Sequence, residues 1–209
     1  LNRIFYQDGE TFNPIPIEQI PEPKPSFHTI GQLERIINNP RDCNLAIYLK
    51  TRFKAAEVNE TLIKYNTGNS SDFWKDSTCF FQVDQEQNIR AGKVMLYSKT
   101  DGRRVKDPFP HINWIHNLKE SEFNLSQCLF GLHLVNDLQS NKPIAIVESE
   151  KTAIVMAMIN KDCIWMACGS KTAINEKILT PIKIMVSGYI ENNKRLTEGA
   201  DIADLHLKN

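Results

Sequence analysis

Two wholly apolar runs on either side of a helical run constrain this chain more than any other feature of its sequence. Ile144–Val147 reads Ile-Ala-Ile-Val, Glu150–Ile159 has the composition of a strong helix, and residues 163–167 read Cys-Ile-Trp-Met-Ala before Gly169. Strands that are apolar on both faces and alternate with a helix belong in a parallel sheet covered on both sides. The unit is β-α-β, and its crossover should be right-handed. A short strand is expected at residues 182–186, followed by a polar end containing Gly199, Ala200, Asp201, Ile202, Ala203 and Asp204.

Upstream the pattern is mixed. Pro14, Pro16, Pro21, Pro23 and Pro25 deny residues 1–26 a regular hydrogen-bond ladder and predict an extended arm. Ile30, Leu33, Ile36 and Ile37 recur at helical spacing, and a second helix is expected over 45–63 beyond Pro40. Residues 79–83 and 89–97 read as the strands of a hairpin turning at 84–88. A turn follows at Asp101-Gly102, then an irregular aromatic stretch at 108–116, and a loose helical pattern at 123–138.

With 41% hydrophobic and 24% charged positions in 209 residues, disordered, collagenous and fibrous classes are excluded. Lys plus Arg and Asp plus Glu balance at 25 each, so a nucleic-acid partner must be met by a local patch. No apolar run reaches the roughly 18 residues of a bilayer span, and the first residues lack the apolar core of a secretory signal, so a cytoplasmic protein without a membrane partner is expected. Cys43, Cys79, Cys128, Cys163 and Cys168 are odd in number and scattered, which favours buried free thiols over disulfides or a zinc knuckle.

The most informative stretch is Ile144 to Ala153. A carboxylate directly after a buried parallel strand sits at the carboxyl edge of the sheet, beside the amino end of the next helix, where open α/β sheets bind ligands. Glu148 holds that place. The alternative is that Glu148 or Ser149 caps the helix and Glu150 interacts with its dipole.

The apolar strand ending in Glu148, the Ser149-Glu150-Lys151-Thr152-Ala153 helix start and the second strand running into Ala167-Cys168-Gly169-Ser170 resemble the first half of a Toprim domain. More closely, the chain resembles the primase-like Toprim proteins of bacterial mobile elements, from about Ser26 to its end. The resemblance implies a Toprim-like parallel sheet flanked by helices at 141–209, preceded at 27–140 by an α+β, primase-core-like subdomain with a basic hairpin. The family's zinc-binding module would lie upstream of these residues. The implied activity is Mg²⁺-dependent nucleotidyl or phosphoryl transfer in DNA replication or mobile-element maintenance, on single-stranded or template DNA and with nucleotides.

That resemblance assigns Glu148 as the acidic residue of the first Toprim motif, catalytic and metal-binding, and Gly169 as a cofactor-binding residue, the glycine that lets the backbone turn tightly beside Glu148. In the family a third strand delivers an Asp-x-Asp pair, and carboxylates of both motifs hold Mg²⁺, a hard cation satisfied by oxygen ligands. Here only Asp201 and Asp204 follow Gly169, in a segment that looks like a later family motif. Either the metal-binding strand is lost or a stretch is missing near residues 176–181 and its flanks are joined. Loss of a central strand would expose sheet edges, which favours the second; unbroken Cα spacing of about 3.8 Å from Asn175 to Lys183 would count against it.

Arg90, Lys93, Lys99, Arg103, Arg104 and Lys106 are opposed in that window only by Asp101. Such a run is what a phosphate backbone needs, although a solvated basic turn has the same composition. Arg90 and Lys93 point to opposite faces of a straight strand, so a shared surface requires a kink, which Gly92 could allow. The resemblance favours nucleic acid, because the family's N-terminal subdomain holds its template on such a hairpin. His111, Trp114 and His116 could stack on bases or bind metal, with packing the plainer account. Cys163 and Cys168 should face apart, and Ser149 lacks a nucleophile elbow. Two other readings stay open: a non-catalytic nucleic-acid-binding module, and a protein-interaction domain using residues 109–114.

Overall fold

A computed structural model describes residues 23–38, 43–118, 122–137 and 142–185. The expected arm is described only from Pro23, and Gly199, Asp201 and Asp204 lie outside the described residues.

Helix α1 (Ile30–Ile37) starts at a capping box in which Thr29 and Gln32 satisfy each other's backbone N–H groups, and it buries Leu33 and Ile36. The helix expected over 45–63 is two: α2 (Asn44–Lys50) and α3 (Ala55–Lys64), separated by a turn at 51–54. Strands β1 (Thr67–Ser70), β2 (Ser77–Val83), β3 (Ile89–Met95) and β4 (Ile112–Trp114) form an antiparallel sheet in that order. The β2–β3 hairpin is the one the alternation predicts; β1 and β4 were not expected.

Every residue of β2 is buried, because both faces of the sheet are covered. Cys79, Phe81 and Val83 join Leu33 and Ile36 of α1 in one apolar cluster, whereas Phe80 points the other way into the larger core. That larger core also takes Leu45, Leu49, Val58 and Leu62 from α2 and α3, together with Ile154, Trp165 and Met166 from the C-terminal unit. A single apolar interior therefore draws on residues from both sides of position 140.

The C-terminal unit is the expected strand–helix–strand. β5 (Ile144–Val147) and β6 (Ile164–Ala167) pair in parallel, Ile144 opposite Ile164 and Val147 opposite Ala167, with α4 (Glu150–Ile159) between them in sequence. On its other side β6 is met by one antiparallel rung, in which Phe130 and Ala167 exchange both backbone hydrogen bonds at 2.9 and 3.0 Å. The Tyr65 hydroxyl, at the end of α3, donates to the Trp165 carbonyl at 2.9 Å and fixes α3 against β6. The described chain is thus a mixed α/β fold with a two-stranded parallel element.

Three expectations need correcting. Residues 182–185 are not a strand but the end of α5 (Glu176–Met185); Val186 lies outside the described residues. Ile178, Leu179 and Ile182 fall on one helical face, and the Asn175 side chain accepts the Ile178 N–H at 3.0 Å at the helix start. Residues 122–131 lack regular structure, and Leu132–Asp137 is a 3₁₀ helix. The kink in β3 is not at Gly92. Gln82 pairs with Ala91 and Val83 with Ile89, so Arg90 is the bulged residue. Gly92 lies in register with Phe81, where an added Cβ would stand 2.8 Å from Ile115 Cγ1.

Candidate functional site

The carboxyl edge of β5 and β6 is built from backbone. Cys168 N–H donates to Val147 O at 3.1 Å and Gly169 N–H to Glu148 O at 2.9 Å, which continues the parallel pairing one step past the last strand residues. Gly169 has φ +84°, a left-handed conformation that favours glycine, and so turns the chain sharply at this edge. The tight turn expected beside Glu148 is therefore present.

Three consecutive residues after β5 have three different tasks. Ser149 caps α4, its Oγ accepting the Thr152 N–H at 3.1 Å, so Glu148 is not the cap. Glu148 is exposed, and its carboxylate has no ion pair among the described residues. Glu150, in the first turn of α4, is buried, with its side chain 2% exposed.

Its partner comes from the other sheet. Lys93 of β3, its side chain 10% exposed, places Nζ 3.1 and 3.3 Å from the two Glu150 oxygens and 3.1 Å from the Gly169 carbonyl oxygen. An ammonium has three protons, and here it finds three acceptors. The Trp114 ring of β4 lies 6.0 Å from the same nitrogen. Taking both charges out of water is expensive, and only this full set of partners makes it tolerable. Burial pushes the nearby Cys168 thiol up, and the charges of Glu148 and Glu150 push it the same way, which keeps it protonated.

Sequence reasoning missed this pair. Lys93 is a lone charge between Ala91 and Met95 on the core-facing side of β3, and Glu150 is the acidic start of an apolar helix. Two isolated opposite charges at buried positions are a signal for one another.

The six basic residues do not share one surface. Arg90 is held by Asp84, Nε to Oδ2 2.6 Å, and lies over the Phe27 ring at 5.1 Å; Lys93 points into the interior pair. Lys99, Arg103, Arg104 and Lys106 are exposed, and Arg103 makes only a loose 3.9 Å contact with Asp101. These four remain as an outward-facing basic run past the end of β3.

Mg²⁺ needs several oxygen ligands. Glu148 offers one carboxylate, Glu150 is committed to Lys93, and no group of three or more His, Cys, Asp or Glu side chains among the described residues could hold a metal. The described residues therefore do not make a magnesium site. The His111 and His116 rings stack on Phe109 and Phe123. At the opposite, amino-terminal edge of the parallel strands, a groove of about 290 Å³ is lined by Glu57, Lys64, Lys142, Lys161 and Ile164. Two of its cations are engaged internally: Lys161 with Glu57 at 2.6 Å, and Lys142 with the Lys161 carbonyl at 2.7 Å. No described helix is long and apolar enough to cross a membrane.

Among solved structures, the chain is similar to the RNA polymerase domain of Mycobacterium tuberculosis primase DnaG, with 12% identity and a TM-score of 0.48 over 74% of this chain and 59% of that one. The same domain in complex with double-stranded DNA gives 12% identity and a TM-score of 0.47 over 76% and 57%. A DnaG primase catalytic domain bound to single-stranded DNA gives 12% and 0.43, over 66% of this chain and 50% of that one. The chain thus spans about half the length of that primase domain. No curated protein matches it. Residues 43–186, more than two thirds of the sequence, match the family described as a domain of unknown function, DUF6371, and the chain belongs to that family.

Proposed function

We propose that this chain is a DNA-binding, primase-like protein of the Toprim type, acting in DNA replication or mobile-element maintenance. The observation that carries the reading is the division of labour after β5: Lys93 neutralises Glu150, and Glu148 is left with an available charge at the carboxyl edge of the parallel pair. The exposed Lys99, Arg103, Arg104 and Lys106 supply the contact to a phosphate backbone, while Arg90 and Lys93 are already engaged. Gly169 keeps the edge beside Glu148 compact.

Mg²⁺-dependent nucleotidyl or phosphoryl transfer is the catalytic form of this reading, and it requires carboxylates beyond Glu148. The test is transfer from labelled nucleotides onto a single-stranded template by the intact protein, with and without Mg²⁺. Activity that depends on the metal and is abolished in Glu148→Gln supports catalysis at this edge; full activity in that variant removes Glu148 from the mechanism.

One observation favours a second reading, a non-catalytic nucleic-acid-binding module with the same fold: the described residues supply a single available carboxylate at this edge. DNA binding that falls steeply with salt but is indifferent to Mg²⁺, in a protein without transfer activity, would establish it.

A further inference from the structure

The basic run leads to an aromatic feature that the site above does not use. Past the end of β3, Val105 N–H donates to Leu96 O at 3.0 Å, His111 N–H to Val105 O at 3.2 Å, and Leu96 N–H to His111 O at 3.1 Å. These bonds anchor residues 105 and 111 to the sheet edge and force residues 106–110 outward as a short projection. Phe109 lies in this projection and is 53% exposed. Its ring stacks on His111, with centroids 4.6 Å apart and planes 19° from parallel. His111 in turn meets the Trp74 ring edge-on at 5.1 Å, and Trp74 packs on Phe73 at 5.7 Å. The rings form a stepped ledge from the protein body to its outermost aromatic side chain.

A loop that leaves a Phe outside, supported from beneath by a second ring, presents a flat π-surface to a partner. The charges around it say which kind. Lys106 is in the same projection, Arg104 is bridged to Tyr97 one step away, and Arg103, Lys99 and Lys75 are exposed. Asp101 and Asp107 oppose them. Flat rings joined by negative linkers complement this combination, and a nucleic-acid strand provides both once its bases are unpaired. In a duplex the bases are stacked on one another and cannot reach the ledge.

We propose that Phe109, His111 and Trp74 form a base-stacking platform for single-stranded nucleic acid, with Arg103, Arg104 and Lys106 holding the adjoining phosphates. The proposal rests on the reading that the chain binds nucleic acid, and adds the form of the strand and the surface that takes it.

The test uses the intact protein, a fluorescently labelled oligothymidylate strand and a duplex of equal length, with binding followed by anisotropy at low salt. The strand is expected to bind more tightly than the duplex. Phe109→Ala should weaken strand binding by about 5- to 150-fold and leave duplex binding unchanged, and Phe109→Trp should retain affinity. Strand addition should also quench tryptophan fluorescence, less so in Trp74→Phe. If Phe109→Ala binds the strand as tightly as the unaltered protein while Arg103→Ala/Arg104→Ala loses it, the platform is wrong and nucleic-acid binding stands. If neither strand nor duplex binds, both readings fall and the ledge belongs to a protein partner.

Discussion

Lys93 Nζ stands 3.1 Å from Glu150 Oε1, joining the third strand of the antiparallel sheet to the first turn of the helix that connects the two parallel strands. The same nitrogen holds the carbonyl of Gly169. One buried cation thus fixes the helix start and the glycine turn at the edge where Glu148 emerges.

Removing either member of this pair should be costly. Lys93→Met leaves a buried carboxylate without its cation and is expected to destabilise the fold by about 3–5 kcal/mol. Lys93→Met/Glu150→Leu, which removes both charges, should cost less than Lys93→Met alone. Urea denaturation of these two variants and of Glu150→Leu checks this; additive losses would mean the two charges are independent.

The neighbouring carboxylate should behave in the opposite way. Glu148 is exposed, so Glu148→Gln should change stability by no more than about 0.5 kcal/mol. Equal destabilisation by Glu148→Gln and Glu150→Gln would contradict the assignment of different tasks to these two residues.

Gly169→Ala tests the turn. The backbone there has φ +84°, and a Cβ would stand 3.3 Å from Glu150 Oε1. A loss of about 1–3 kcal/mol is expected from the left-handed conformation, measured as a shift in the urea midpoint. No change would mean the turn relaxes freely.

Alkaline pH should weaken the tie between α3 and β6. Burial pushes the Tyr65 phenol up from its ordinary 10 to about 12. The folded chain therefore keeps this proton to higher pH than the unfolded chain, and its stabilisation is complete below about pH 10 and declines as pH rises through 12. The stability difference between the unaltered protein and Tyr65→Phe should shrink across that window by an amount on the order of 2–3 kcal/mol. A difference constant from pH 9 to 12 would show that the hydroxyl has no such role.

The sequence makes β5, α4, β6 and the β2–β3 hairpin legible because their period and composition agree with the state they adopt. β1 reads Thr-Gly-Asn-Ser, which has little intrinsic preference for a strand; its pairing with β2 imposes that state. β4 is three residues long, too short for alternation to register. Residues 182–185 look like an alternating strand, but Ile182 completes a helical face begun by Ile178 and Leu179. The placement of Glu148 could be read locally, because a strand end and a helix start bracket it. The Lys93–Glu150 pair was not read, since its partners are 57 positions apart and the only signal joining them is that each is a lone charge at a core-facing position of its own element. The basic run was legible by composition, yet which of its members face outward depended on the bulge at Arg90 and on the acid facing Lys93.

The ring cluster of Tyr65, Phe80 and Phe130 shares its interior with Ile154, Trp165 and Met166. Scissors placed near residue 140 would therefore leave both pieces with a wet, open flank. Truncation would be a poor route to assigning activities within this protein; the two pieces would have to be produced together and reunited before either could be assayed.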